Sequence, residues 1–234
     1  VHRLAAALGD DGKPTAMTFT MTSQSITGRV FGLPAEVQDP LMTEAALAPY
    51  EIPATRHEIV KHDAGLRVGY WRSVSHALNA FANETFIDEL AAAAGKDPYE
   101  YRMALLPGKP RFRNVLKMAA DKSGWGSAAP AGRFRGIALM EGYDTYMAQV
   151  AEISMKDGVP VIHRVTTVAD LGRMVNPDTV EAQIQSSIVF GLSAVLYGEI
   201  NLVKGRVQQS NFNTYQVVRM NEAPQIDIVL VPII

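Results

Sequence analysis

Thr18, Thr20 and Thr22 alternate with Phe19 and Met21, an apolar–polar period of two that predicts a strand over residues 15–24. A partner strand is expected over residues 1–8, because Gly9-Asp10-Asp11-Gly12-Lys13-Pro14 between them is a cluster of turn formers. Residues 28–55 hold several prolines and little periodicity, so they read as loop. Residues 56–61 and 66–70 are candidate strands. The strongest helical pattern starts near His76 and ends near Gly95, with Leu78, Phe81, Ala82, Phe86, Leu90 and Ala93 on one stripe. Gly95 suits the C-terminal cap. Asp97-Pro98 matches an N-cap followed by proline at the first helical position, opening a short helix through Leu106. A third helix is expected from Pro110 to Ser123, basic on one face.

Ser127 to Gly132 reads as a linker. Strands follow at 135–140, 146–155 and 161–168, the last two joined by the hairpin turn Lys156-Asp157-Gly158. Asn176-Pro177-Asp178 opens a helix running to about Leu196. Short strands at 197–203 and 206–210 flank Lys204-Gly205, and a last strand covers 225–231. Helices and strands come in blocks, which predicts the α+β class with mixed helices and mostly antiparallel strands. Two regions are expected. Residues 1–126 hold a hairpin, an irregular loop and helices, and residues 133–234 hold a strand block with the Asn-Pro helix.

Composition narrows the chemistry. The chain has 234 residues, enough for a sizeable core, and a net charge of −2, which gives no electrostatic footprint for nucleic acid. With no cysteine, disulfides, thiolate zinc sites and cysteine-held iron–sulfur clusters are excluded within it. No transmembrane segment is expected, since no run approaches about 18 consecutive apolar residues. The chain begins at Val1 without methionine and stops just after the apolar run IDIVLV, so a processed chain or a fragment is expected.

No GxxxxGK[ST], GxGxxG or GxSxG occurs, and no histidine pair shares a helix at metal-ligand spacing, so no metal site is assigned. Ser73, Ser75 and His76 stand close together, with Ser75 the expected cap of the following helix. Glu84 and Asp88 lie four apart on that helix and read as a solvated acidic face, because Glu89 continues it. Arg72 sits beside Trp71. Its planar fork suits a phosphate, carboxylate or oxo group, or its stem packs on the tryptophan with its head in water. Gln183 on the Asn-Pro helix either edges that helix or meets a ligand beside the small pair Ser186-Ser187. The residues alone leave both questions open.

Longer stretches carry a resemblance. GYWRSVSHALNAFANETFIDELAAAAGKDPYEYRMALL, RGIALMEGYDTYMAQVAEISMKDG, ADLGRMVNPDTVEAQIQSSIVFGLSAVLYGEI and VQQSNFNTYQVVRMNEAPQIDIVLV, in this order, resemble the molybdopterin-binding large subunit of the xanthine oxidoreductase/aldehyde oxidase family. They look most like the beta-subunit group of isoquinoline 1-oxidoreductase and related bacterial aldehyde dehydrogenases.

The resemblance implies a molybdenum–molybdopterin cofactor, with bacterial relatives suggesting the cytosine dinucleotide form. It implies oxidation of a small-molecule substrate, an aldehyde or N-heterocycle, with water as oxygen source. It also implies iron–sulfur clusters on a partner subunit and further parts of the molybdopterin subunit outside this chain. Arg72 and Gln183 fall where the family binds the cofactor, and Val74, Glu141 and Tyr143 where it lines the substrate pocket. The family's catalytic glutamate follows a Gly-Val-Gly stretch absent here, and neither Glu199 nor Glu222 matches that context, so no catalytic residue is assigned. The chain alone is therefore expected to be catalytically incomplete. A cofactor-free interaction or scaffold module and an unrelated α+β ligand-binding protein are the rival readings. The compartment, bacterial cytoplasm or periplasm, is left open.

Overall fold

The computed structural model describes residues 1–232. The chain begins with strands β1 (His2–Leu8) and β2 (Pro14–Ser23), helix α1 (Ile26–Phe31), a 3-10 turn at Pro40–Thr43 and strand β3 (Ala54–Lys61). Helices α2 (His76–Ala93), α3 (Pro98–Ala104) and α4 (Pro110–Ser123) follow. Then come strands β4 (Arg133–Gly142), β5 (Thr145–Lys156) and β6 (Val159–Asp170), helix α5 (Pro177–Tyr197), and strands β7 (Leu202–Val203), β8 (Arg206–Val207) and β9 (Gln225–Leu230). This is the expected α+β architecture. Residues 66–70, expected as a strand, form none, and residues 28–55 carry two short helical pieces at their start and centre.

The chain divides into two units: Val1–Met118 with Ile137–Ala148, and Ala119–Gly136 with the chain from Gln149 onward. In the first, β1 pairs antiparallel with β2 and β2 pairs parallel with β3, Phe19 opposite His57. Phe19, Met21, Met42 and Ala46 form a buried cluster with Leu4, Ile59 and Ala82 packed against it. In the second, β6 and β9 run parallel, from Arg164 opposite Gln225 to Ala169 opposite Leu230. The four-stranded sheet has the order β4-β5-β6-β9.

Three hairpin turns share one device, two consecutive residues with positive φ, the type I′ arrangement that matches strand twist. They are Tyr143-Asp144 (53° and 61°), Asp157-Gly158 (52° and 80°) and Lys204-Gly205 (50° and 75°).

Asp39 closes the segment before β3. It is fully buried, and it accepts from Ser25 Oγ at 2.8 Å, Thr27 N at 3.0 Å, Thr27 Oγ1 at 2.8 Å and Leu41 N at 3.0 Å. Burial alone would raise its carboxyl, but the bonds from Ser25, Thr27 and Leu41 outweigh this and hold it below the ordinary aspartate range. A depressed folded-state pKa stabilises above the unfolded value and is lost as pH falls through the folded one. Asp39→Asn is expected to cost about 1.5–3 kcal/mol at neutral pH, from weakened hydrogen bonds to a charged group. Chemical denaturation should show this deficit shrinking below about pH 4. A deficit unchanged down to pH 3 would mean that the charge plays no part.

Helix α2 departs from its expected stripe. Its buried side carries His76, Asn79, Asn83, Glu84, Ile87, Leu90 and Ala91, whereas Leu78 and Phe81 are 63% and 69% exposed. The reason is a demand for donors. Asn79 Nδ2 donates to the Met42 and Glu44 carbonyls at 3.0 and 2.8 Å, and Asn83 Nδ2 donates to those of Ala45 and Ala46 at 2.9 and 3.2 Å. The irregular segment 42–46 has no strand partner, so two asparagines one turn apart satisfy its carbonyls.

Glu84 also differs from expectation: it is buried, not part of a solvated face. Its Oε2 accepts from Arg102 Nε and from Leu139 N, both at 3.0 Å, and its Oε1 accepts from Tyr50 OH at 2.7 Å. Arg102, itself fully buried, also donates to Asp88 Oδ1 at 2.6 Å and to the Glu84 carbonyl at 3.0 Å. Burial pushes the Glu84 carboxyl above the usual range despite the opposing pull of Arg102.

Two expected helix caps hold. Asp97 accepts from Tyr99 N and Glu100 N as the N-cap of α3, and Asn176 Oδ1 accepts from Thr179 N as the N-cap of α5. Ser75 does not cap α2 with its side chain. Its own backbone is already helical (φ −87°, ψ −11°), outside the extended conformation that aims a capping hydroxyl at the first turn. Helix α5 reaches membrane-spanning length, with a mean hydropathy of 1.2. Gln183, Gln185, Ser186 and Ser187 in its middle leave no clear membrane span.

Candidate cofactor and substrate sites

Arg72, Val74, Glu141 and Tyr143 belong to the first unit. Arg72 is exposed on the turn that leads into α2. Val74 N donates to the Trp71 carbonyl at 2.9 Å, and His76 N to the Ser73 carbonyl at 3.0 Å. Ser73 and Val74 both have positive φ, 85° and 50°. For a β-branched residue this is an outlier that costs energy and persists only where the surroundings enforce it, as at ligand clamps.

Two residues past Val74, the buried His76 begins α2. Its ring lies against Tyr143, centroids 5.1 Å apart at an interplanar angle of 38°. Its Nδ1 makes no hydrogen bond of good geometry, but Glu44 Oε2 stands 3.3 Å away. The same carboxylate receives the Tyr143 hydroxyl at 3.3 and 3.5 Å. Desolvation and then the Glu44 charge raise the Tyr143 phenol. Glu141 braces the turn from within, its Oε1 accepting from Asp144 N at 2.9 Å. Arg111 braces it from outside, donating to the Asp144 carboxylate at 2.7 Å and its carbonyl at 3.2 Å.

The fold thus brings the flank of the Arg72–Val74 turn, through His76, against the Glu141–Tyr143 hairpin. Glu44 lies in a segment that reads as loop, and His76 is assigned no site role from the sequence. The available signal was the spacing of His76, Asn79 and Asn83, polar residues on one helical face.

Gln183 belongs to the second unit and lines a groove of about 440 Å³ with Leu171, Val175, Asn176, Thr179, Val180, Ile184 and Ser187. The groove runs along the first turns of α5, where the helix offers backbone N–H groups and a positive dipole end. The groove's apolar wall with neutral amide and hydroxyl groups suits an uncharged flat group that both donates and accepts hydrogen bonds. Among the described residues, no group of three or more His, Asp or Glu is placed to hold a metal ion directly.

Residues 88–224 match the molybdopterin cofactor-binding domain family. The chain belongs to that family. It is 29% identical to the isoquinoline 1-oxidoreductase subunit beta of Brevundimonas diminuta over 97% of its length, covering 30% of that relative. It is 30% identical to a membrane-bound aldehyde dehydrogenase (pyrroloquinoline-quinone) of Gluconacetobacter polyoxogenes over 78% of its length, covering 27% of it. The chain therefore spans less than a third of either relative. Its fold matches that of quinoline 2-oxidoreductase from Pseudomonas putida 86 with a TM-score of 0.80 at 11% identity, over 98% of this chain and 55% of that one. The family match includes α5 with Gln183 and the hairpin with Glu141 and Tyr143.

Proposed function

We propose that this chain is part of the molybdopterin-bearing subunit of a molybdenum hydroxylase that oxidises an aldehyde or an N-heteroaromatic ring, with water as oxygen source. The observation that carries the reading is the family match over residues 88–224, which contains Gln183 and its groove. The two sequence regions, 1–126 and 133–234, are then parts of one larger cofactor-binding subunit. Further parts of that subunit cover the exposed Leu78 and Phe81 of α2 and the largely exposed α5. Iron–sulfur clusters sit on a partner subunit, consistent with a cysteine-free chain. The cytosine dinucleotide form of the cofactor is the form that the family resemblance implies.

When bound, the cofactor supplies the two-electron oxidation of the substrate carbon. The residues of this chain bind and orient. Arg72 presents a planar pair of donors to an anionic edge of the cofactor, and Gln183 meets its ring with an amide. Val74 and Tyr143 form apolar walls that displace water and hold the substrate flat. No proton-transfer role is assigned to the chain's own carboxylates. Glu222 is engaged by Tyr197 OH and by Arg219 N at 2.9 Å.

Metal analysis of the complete enzyme purified from its natural source tests the reading. Stoichiometric molybdenum supports it. Molybdenum-free protein sinks it, in favour of a cofactor-free module, or of quinone chemistry as in the name of the aldehyde dehydrogenase relative. Gln183→Leu sharpens the test. The near-equal volume should hold the stability change of the cofactor-free form under about 1.5 kcal/mol. A cofactor group left unpaired should weaken binding by about 1–3 kcal/mol, read as lower molybdenum content per chain. A large fall in cofactor-free stability with unaltered molybdenum content would assign Gln183 to the fold.

A further inference from the structure

Backbone strain in this chain gathers around one buried side chain. Among the described residues, seven other than glycine hold positive φ. Two of them, Asp157 and Lys204, each precede the glycine of a hairpin turn, where the conformation is ordinary. The other five, Ala45, Ser73, Val74, Tyr143 and Asp144, lie in three segments that meet at His76. Left-handed conformations of this kind persist only where the surroundings enforce them, and they cluster at functional sites.

His76 joins the three segments. Its backbone N–H donates to the Ser73 carbonyl at 3.0 Å and closes the turn that carries Arg72. Its ring is buried in a slot with no spare room. A Cβ on Gly142 would lie 3.0 Å from both Cδ2 and Nε2 of the ring. Glu44 Oε2 stands 3.3 Å from Nδ1, and the Tyr143 ring packs on one face with centroids 5.1 Å apart. Asn79, one turn further along α2, donates to the Glu44 carbonyl at 2.8 Å, so that wall of the slot is tied to the same helix. Relaxing Ser73 and Val74 to negative φ would break the bond to the His76 N–H or draw the ring out of its slot.

We propose that His76 is a positioning residue that holds the Arg72–Val74 turn in its strained shape before any cofactor arrives, so that Arg72 meets an anionic edge from a backbone already in its bound form. This rests on the reading of Arg72 as a cofactor-binding residue. The gain lies in ordering. A backbone fixed beforehand gives up no further freedom on binding, whereas a mobile turn loses affinity when it is immobilised. The packing of His76 supplies the restraint, and the folded unit bears the strain.

Amide hydrogen exchange on the complete subunit, made free of cofactor in molybdenum-starved cells, reads the turn directly through peptides that span residues 71–76. The Val74 and His76 amides of the wild type should exchange at least roughly tenfold more slowly than unstructured chain. Gly142→Ala leaves His76 intact but crowds its ring, and Ser73→Gly relieves strain while freeing the backbone. Both should speed exchange at these amides roughly 2–10-fold, and lower molybdenum content per chain at limiting cofactor by a similar factor, the range for ordering a loop or side chain. Ser73→Gly should do so without lowering the thermal midpoint of the cofactor-free form. A residue that served only the fold would lower midpoint and molybdenum content together. His76→Ala should release the turn most, and the other two variants decide the matter if it fails to fold. Unprotected amides in the cofactor-free wild type, or molybdenum content unchanged in both Gly142→Ala and Ser73→Gly, overturns the proposal. The two readings separate. Full molybdenum with unprotected amides sinks the inference alone, whereas protected amides that both variants release, in a complete enzyme that takes up no molybdenum, sink the hydroxylase reading alone.

Discussion

Arg102→Met is expected to destabilise the protein by about 3–5 kcal/mol at neutral pH. Arg102 is fully buried and donates to the side chains of both Glu84 and Asp88. Methionine fills much of the volume but removes the counter-charge, leaving the Glu84 carboxylate in a site where burial already raises its pKa. The sign of the pH dependence follows. A carboxyl whose folded-state pKa lies above its unfolded value carries no penalty below the unfolded value, and loses stability as pH rises through the folded one. The variant's deficit should therefore be smallest near pH 4–5 and grow towards neutrality, the opposite trend to Asp39→Asn. The double variant Glu84→Gln/Arg102→Met should recover part of the loss, because the neutral amide removes the buried charge while its oxygen accepts from Leu139 N and its NH2 donates to the Tyr50 hydroxyl oxygen. Denaturant unfolding of the three proteins across this pH range checks both claims. A single variant within 1 kcal/mol of wild type at pH 7 would show that water or rearrangement replaces the guanidinium.

The network also shows where sequence reading stops. Glu84, Asp88 and Glu89 are adjacent on one helix and look like a solvated face, while the cation that changes their meaning sits on α3 and the amide that completes the site on β4. No local period encodes that convergence. Helix α2 is apolar on both sides, so Leu78 and Phe81 scored as core although the buried side is set by the carbonyls of residues 42–46. By contrast, signals that act within a few residues were legible. Asp97 and Asn176 cap their helices as their side-chain chemistry dictates, and Asp157-Gly158 and Lys204-Gly205 turn where a glycine admits positive φ. The Tyr143-Asp144 turn has the same geometry without a glycine, so nothing local announced it. The parallel pairings of β2 with β3 and β6 with β9 join segments separated by long connections, which strand periodicity does not specify. Among the candidate site residues, Arg72 and Gln183 drew notice through their own chemistry. Glu44 and His76 acquire meaning only from tertiary contact with Tyr143.

Arg72→Lys is expected to lower cofactor occupancy and turnover of the complete enzyme about as much as Arg72→Ala does. The argument starts from the turn. Ser73 and Val74 hold positive φ values of 85° and 50°, conformations that cost of order 1–3 kcal/mol each in non-glycine residues. Two backbone bonds, Val74 N to Trp71 O and His76 N to Ser73 O, keep the strained loop in place at the head of α2. Such strain fixes the direction in which the preceding side chain leaves the backbone. The exposed arginine on that turn carries a planar fork that suits two parallel hydrogen bonds to an anionic edge. Lysine keeps the charge but offers a single point donor on a flexible stem, so it cannot reproduce the fork. Loss of one charge-assisted hydrogen bond is worth about 1.5–3 kcal/mol, roughly a 10- to 150-fold fall in affinity. Molybdenum content per chain and turnover per molybdenum, measured on both variants, separate cofactor loss from misplacement of a retained cofactor. Relief of backbone strain is no confounder, because neither substitution changes Ser73 or Val74. If the lysine variant carries full molybdenum and turns over at the wild-type rate, the fork is not used, and Arg72 serves only to pack its stem near Trp71.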